Sequence, residues 1–386
     1  MVSSFVQVPA QFSPQPTSER IRSAVSEKIQ EEKINPYPDI EYQEVATSAE
    51  IQSAIADMTA DSVVKLKLTE DITYDDANLA KITQGTLVVD LNGKGITVPH
   101  VAFNSAGENA KIIINDSVGE GWIQGIQLNS AAGVLQVVDN GTLILNKGEI
   151  YTRPGKNASV LSGVHIERNG KFIMNDGLIK TYVGCAVENL LGSVCIKGGT
   201  LYSMAACAID ICGHGAVEVS GDAEVNGGII QHIGNLIIKD NAVVKNPGYA
   251  TPTGKAFPIG YNLGEYATCD EPSGVSATRI TSAITITTGL YGSDEFTDGK
   301  GNDLNLTISG NAKVSTGYDC ERVSIGLANT AFDQNATINL RKNIDSYKIY
   351  DHAALDALCK EGLYSRTLKP EISVTALEIS GGKQLN

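Results

Sequence analysis

Gly141-Thr-Leu-Ile-Leu-Asn-Lys-Gly-Glu-Ile150 opens a series of five segments built alike. The others are Gly170-Lys-Phe-Ile-Met-Asn-Asp-Gly-Leu-Ile179, Gly192-Ser-Val-Cys-Ile-Lys-Gly-Gly-Thr-Leu201, Gly215-Ala-Val-Glu-Val-Ser-Gly-Asp-Ala-Glu-Val225 and Gly234-Asn-Leu-Ile-Ile-Lys-Asp-Asn-Ala-Val-Val244. Each starts at a glycine, runs through a short strand of alternating apolar residues, turns a small or polar corner and begins a second strand. The starts lie 29, 22, 23 and 19 residues apart. A period near twenty, made of short strands, predicts one coil of a parallel β-solenoid per repeat. One coil cannot bury its apolar face alone, so the coils must stack into a continuous core.

The fold expectation is therefore all-β: a single-stranded parallel β-helix with a short N-terminal capping helix and an extended N-terminal arm. The chain has 386 residues, 39 of them glycine, and only 19 % are charged. That composition suits many tight corners better than long helices. Three regions are expected: an arm over 1–45, a β-helix with its capping helix over 46–250, and irregular loops, further coils and a C-terminal helix and strand over 251–386.

The arm holds Pro9, Pro14, Pro16, Pro36 and Pro38 around one helix-like stretch, in which Ile21, Val25 and Ile29 recur every four residues. So short an amphipathic stretch buries too little surface to fold alone. Ile21, Val25 and Ile29 are accordingly candidate partner-binding residues. Thr47-Ser-Ala-Glu50 next forms a capping box, followed by Ile51, Ile55 and Met58 at helical spacing. Strands are expected at 62–69, 111–115, 133–138, 280–286, 306–314, 336–340 and 371–379, and a helix near 353–359 with Asp351 at its N-cap.

Thr47 to Glu50, running into Gly85-Thr-Leu-Val-Val-Asp-Leu-Asn-Gly93 and Gly95-Ile-Thr97, resembles the entrance of the pectate-lyase-like right-handed β-helix superfamily. The resemblance covers roughly 46–250 and extends toward 340. It implies the fold and its handedness. The pectate lyases' calcium-binding aspartate cluster with a neighbouring arginine base has no match on these coils, so no lyase residue carries over. Anchor first and solenoid second is an arrangement similar to tailed-bacteriophage head fibres and tailspikes, which implies a homotrimer.

The candidate chemistry is a carboxylate column. Glu167, Glu188 and Asp210 each follow an aliphatic residue (Ile166, Val187, Ile209) and align at one place on three coils. Neighbouring parallel strands lie about 4.8 Å apart, so adjacent members would approach the ~5 Å of retaining glycosidases and alternate members the ~6.5–9.5 Å of inverting ones. A water-facing column explains three acids equally well, and Arg168 would neutralise part of it. The reading therefore assigns no catalytic residue, and Glu167, Glu188 and Asp210 are the candidates that the enzyme alternative would use. Trp122, the only tryptophan, is a candidate glycan platform beside Gly119-Glu-Gly121.

Cys185 and Cys207 precede matching tripeptides and are read as small buried residues stacked on successive coils. The seven cysteines include no CxxC, so neither a disulfide framework nor a metal site is expected. The histidines (His100, His165, His214, His232, His352) look scattered. Asp294 to Asp303 lacks the ligand alternation of an EF-hand. No cofactor is implied.

With 30 basic against 44 acidic residues, the net charge is −14. That disfavours nucleic acid and anionic lipid as partners. No apolar run reaches the ~18 residues that suggest a membrane span. Met1-Val-Ser-Ser-Phe-Val-Gln-Val-Pro9 does not read as a secretory signal, so the expected setting is the virion, assembled in a host cytoplasm. Three functions follow: a structural virion fibre or spike that binds capsid or tail proteins through residues 1–45 and displays a host-surface-binding body, with host surface glycan as the candidate ligand; a polysaccharide-degrading tailspike; and a bacterial surface adhesin.

Overall fold

The computed structural model describes residues 36–76, 78–126, 133–153, 162–182, 184–203, 207–213, 215–231 and 234–246, with the short segments 249–250, 256–257, 283–286, 304–316, 325–327, 336–340 and 377–380. The chain divides into two units, Met1–Asp39 and Ile40–Asn386. Of the first, only residues 36–39 are described, so Ile21, Val25 and Ile29 lie outside the described residues. So do the helix expected at 353–359, the loop 294–303, and His214, His232 and His352.

The second unit is mostly β, with parallel strands in curled sheets and one helix among the described residues. Each strand pairs with the strand at the same place one repeat later, which produces three parallel ladders. The first ladder runs through Gly133–Val138, Ser162–Ile166, Val187–Asn189, Ile209–Ile211 and Ile229–Gln231 to Ile284–Ile286 and Ile325–Leu327. The second takes the five glycine-led strands in register, Thr142 on Lys171 on Ser193 on Ala216 on Asn235. It starts at Gln43–Val45 and ends at Leu377–Ser380, which pairs in parallel with Ala336–Leu340 of the same chain. The third runs from Ile72–Thr73 to Lys313–Thr316. The long strands Asn78–Asp90 and Val101–Asn115 bend from the first ladder into the second, which joins those two at this end. Among the described residues the only antiparallel pairing is Tyr249–Ala250 with Ala256–Phe257.

Three residues move across an expected boundary. Gln43–Val45, placed by sequence in the arm, is the first rung of the second ladder, in register with Leu66, Lys67 and Leu68. The unit boundary falls after Asp39 rather than after Val45.

Alternation along each strand points every second side chain inward. Inward positions stack like on like: Leu87, Ile112, Leu143, Phe172, Val194, Val217, Leu236 and Leu306 form one column of the second ladder. Ile96, Ile123, Ile150, Ile179, Leu201, Val225 and Val244 form the column of the third. All are buried in one cluster, and each fully buried aliphatic or aromatic side chain contributes on the order of 1.5–3 kcal/mol.

The helix Ser48–Ile55 covers the start of this core. Thr47 accepts from the Glu50 amide while Glu50 accepts from Thr47 and Ala46, the reciprocal pattern that the sequence announces. Ile51 is fully buried, and Ile55 and Met58 pack at the edge. No helix among the described residues is long and apolar enough to cross a membrane.

Side-chain stacks fix the register at the corners. Asn175 donates to Asn146 at 2.7 Å and Asn146 to Asn115 at 2.8 Å, one coil below another. Asn311 donates to Asn241 and Asn241 to Asp222 in a second stack. An amide satisfied by its equivalent on the next rung repeats the backbone ladder in side chains.

Trp122 starts a strand of the third ladder, in register with Gly95 and Glu149. A Cβ on Gly95 would fall 2.1 Å from the indole Cζ2, so the ring lies against the glycine backbone and is half-buried. One ring face is therefore occupied by the neighbouring rung. Gly95→Ala is expected to displace the indole at a cost of roughly 1–3 kcal/mol. As Trp122 is the only tryptophan, its fluorescence reads the change directly: emission should shift to the red in the variant, and unchanged emission would contradict the packing.

Candidate functional site

The outer side of the first ladder carries a polar column. Register places Asn104 on Gln136, Gln136 on His165, His165 on Glu188, Glu188 on Asp210 and Asp210 on Ile230. Their neighbours Val164, Ile166, Val187, Ile209 and Ile211 face the core. Asn104 donates to Gln136 at 2.8 Å.

Glu188 and Asp210 stand one above the other, as the sequence suggests. Glu167 does not join them. It follows Ile166, whose partner is Asn189, and the position level with Glu188 is His165. The sequence alignment matched aliphatic–acid pairs, whereas the corners between ladders differ in length by a residue. Four steps separate Ile166 from Gly170 but three separate Asn189 from Gly192. The three-carboxylate column is thus corrected to histidine, glutamate, aspartate.

Glu167 nevertheless reaches the same histidine from the corner. Its Oε1 lies 2.7 Å from His165 Nε2, and Glu188 Oε2 lies 3.0 Å from Nδ1. Ser162 Oγ donates to Glu188 at 2.9 Å. Beyond Glu167, Arg168 Nη1 approaches Oε2 at 3.5 Å and its Nε pairs with Asp139. Asp139 and Asn140, and one coil later Arg168 and Asn169, all have positive φ, so the Arg168–Asp139 pair links two left-handed corners.

Burial opposes the charge on His165, but the two carboxylates outweigh it and push its pKa up to about 9. Glu167 is lowered, chiefly by the same hydrogen bond. The imidazole is therefore an imidazolium clamped between two carboxylates. A glycosidase pair needs a proton held on one acid near neutral pH. His165 drives Glu167 the opposite way, and Asp210 is only 2 % exposed. This arrangement ties rungs together.

Next to the column are thiols. Cys185 and Cys207 sit two residues before the paired Val187 and Ile209. Both are buried, with Ile230, in a small cluster outside the main core. Their Sγ atoms are 3.3 Å apart. The thiol–thiol hydrogen bond, then burial, raises Cys185 well above the usual thiol range. Cys212, fully buried, is raised by burial and by Asp210 and Glu188. Sequence reasoning placed Cys185 and Cys207 in a stack but did not bring Asp210 to them, and it missed Cys212, Ser162 and the role of His165. The signal was the coil period itself, since residues about 22 apart become neighbours.

No family model, no curated protein and no solved structure matches the chain.

Proposed function

We propose that the chain is a structural protein of a virus particle, of the fibre or spike kind carried by tailed bacteriophages. Its body is a single-stranded parallel β-helix, held to capsid or tail by the N-terminal arm and presenting its corners to the host surface. One observation carries this reading: the second ladder continues in register from Gln43–Val45 to Leu377–Ser380, with a capped helix over its first coils. A stack whose contacts are only between neighbours grows in one direction and resists bending, which is what a stand-off element requires. The outer polar column supports the same use, since its ionised groups engage each other across rungs. The phage setting, the trimer and the anchoring role of the arm come from the sequence resemblance and from the arm's composition.

The test is incorporation. The full chain and a variant lacking residues 1–39 are each supplied to assembling particles of the source virus, which are then purified and probed for the protein. The full chain should copurify and the truncated chain, still folded by circular dichroism, should not. Equal incorporation would remove the anchor, and absence of the full chain from particles would remove the virion assignment.

A further inference from the structure

Cys185 Sγ, Cys207 Sγ and a carboxylate oxygen of Asp210 all lie within 4.8 Å of one another, and all three residues are buried. They come from two consecutive coils, brought together by the pairing of Val187–Asn189 with Ile209–Ile211. We propose that this trio is a structural metal site that takes a zinc-class divalent cation and clamps the two coils together.

The donor set suits that ion. Two thiolates and one carboxylate select a borderline-soft cation over calcium or magnesium, which prefer oxygen cages. Zinc–sulfur bonds of about 2.3 Å place two tetrahedral thiolates a little under 4 Å apart. The Sγ atoms stand at 3.3 Å, so small side-chain rotations open the space. A disulfide would need them to close to about 2.05 Å. Burial among apolar neighbours such as Ile230 limits solvent access, and three protein donors leave the fourth tetrahedral position of the cation to a single water. Cys212 lies against Asp210 and acts as a positioning residue for the carboxylate. His165 holds Glu188 on the adjoining side.

Binding is a proton exchange without redox change. Each S–H bond breaks, each sulfur forms a bond to the cation, and two protons leave to solvent, while Asp210 coordinates as the carboxylate. Affinity should therefore fall as pH is lowered.

The probes are Zn2+ and Co2+ on the full chain, purified without a metal-affinity tag. The wild type should retain one equivalent of zinc by elemental analysis. It should give thiolate-to-cobalt charge-transfer bands of two-sulfur intensity when folded with cobalt, and lose thermal stability on chelation. Cys207→Ser should lose the zinc and the bands, whereas Cys195→Ser, altered on the second ladder, should keep both. If Cys207→Ser fails to fold, the cobalt spectrum of the wild type still counts the sulfur ligands. A wild type that binds neither ion, a cobalt spectrum without sulfur bands, or a covalent bond between Cys185 and Cys207 detected by peptide mass would each overturn the site.

Discussion

Replacing His165 with glutamine is expected to destabilise the protein by roughly 3 kcal/mol near neutral pH. Glutamine is the residue at the matching place one coil earlier, Gln136, so the substitution keeps shape and hydrogen-bonding capacity and removes only the charge. Glu167 and Glu188 would then face each other across a site where the His165 side chain is 4 % exposed. Breaking a fully buried pair costs about 3–5 kcal/mol. The carboxylates here are 29 % and 26 % exposed, so water softens the repulsion and the lower end applies.

The pH dependence tests the same claim without mutation. The folded pKa of about 9 stands above the ordinary 6.5. A group raised on folding contributes its full stability below the unfolded pKa and loses it as pH rises through the folded one. The window therefore runs from about 6.5 to about 9, and the amount is roughly 3 kcal/mol. Around His165, Glu167 is lowered and its neighbour Arg168 is raised, so neither titrates there. Urea midpoints measured at about pH 6 and about pH 9.5 should fall for the wild type and stay nearly level for His165→Gln. Parallel profiles for the two proteins would show that the imidazolium does not hold the rungs.

The sequence made the ladders legible because glycine, alternating apolar residues and a polar corner recur in phase from Gly141 to Val244. Where an element is too short to show a period, the reading failed: Gln43–Val45 has three residues and was assigned to the arm. The site was legible only in part. Glu188 and Asp210 share a register because both precede their corners at the depth of the paired strands. Glu167 was drawn into the column by its aliphatic neighbour, and nothing in a linear pattern distinguishes a corner of four steps from one of three. The thiol–carboxylate trio was hidden for a different reason. Metal-ligand spacing is usually sought within a few residues, whereas parallel pairing of successive repeats makes near neighbours of residues one repeat apart. The asparagine stack Asn115, Asn146, Asn175 was hidden the same way, although each asparagine follows an inward aliphatic or methionine residue at the end of its strand.

The same periodicity predicts that a whole coil can be removed but half a coil cannot. Deleting 170–191 joins Asn169 to Gly192 and preserves the Asn-Gly corner. Thr142–Leu145 would then meet Ser193–Ile196, setting Leu143 and Leu145 on Val194 and Ile196, all now inward. Glu149–Thr152 would meet Thr200–Ser203, with Ile150 on Leu201. Ser162–Ile166 would meet Ile209–Ile211, so His165 would stand beside Asp210 in place of Glu188. Each exposed face finds an equivalent face one rung on. In a stack with nearest-neighbour energetics, the loss is one coil and one interface against one interface regained. The shortened chain should keep its β circular dichroism and unfold cooperatively, with a smaller dependence on urea because less surface is exposed. Deleting only 170–180 joins Asn169 to Thr181. That leaves a strand of the first ladder without the second- and third-ladder strands of its coil, and the inward columns Leu143–Phe172–Val194 and Ile150–Ile179–Leu201 are cut with nothing to replace them. The half-coil variant should be unfolded or aggregated, the largest effect expected for any change of this size. If both deletions behave alike, whether both fold or neither does, stability does not propagate coil by coil, and the stack is not the unit that carries the fold.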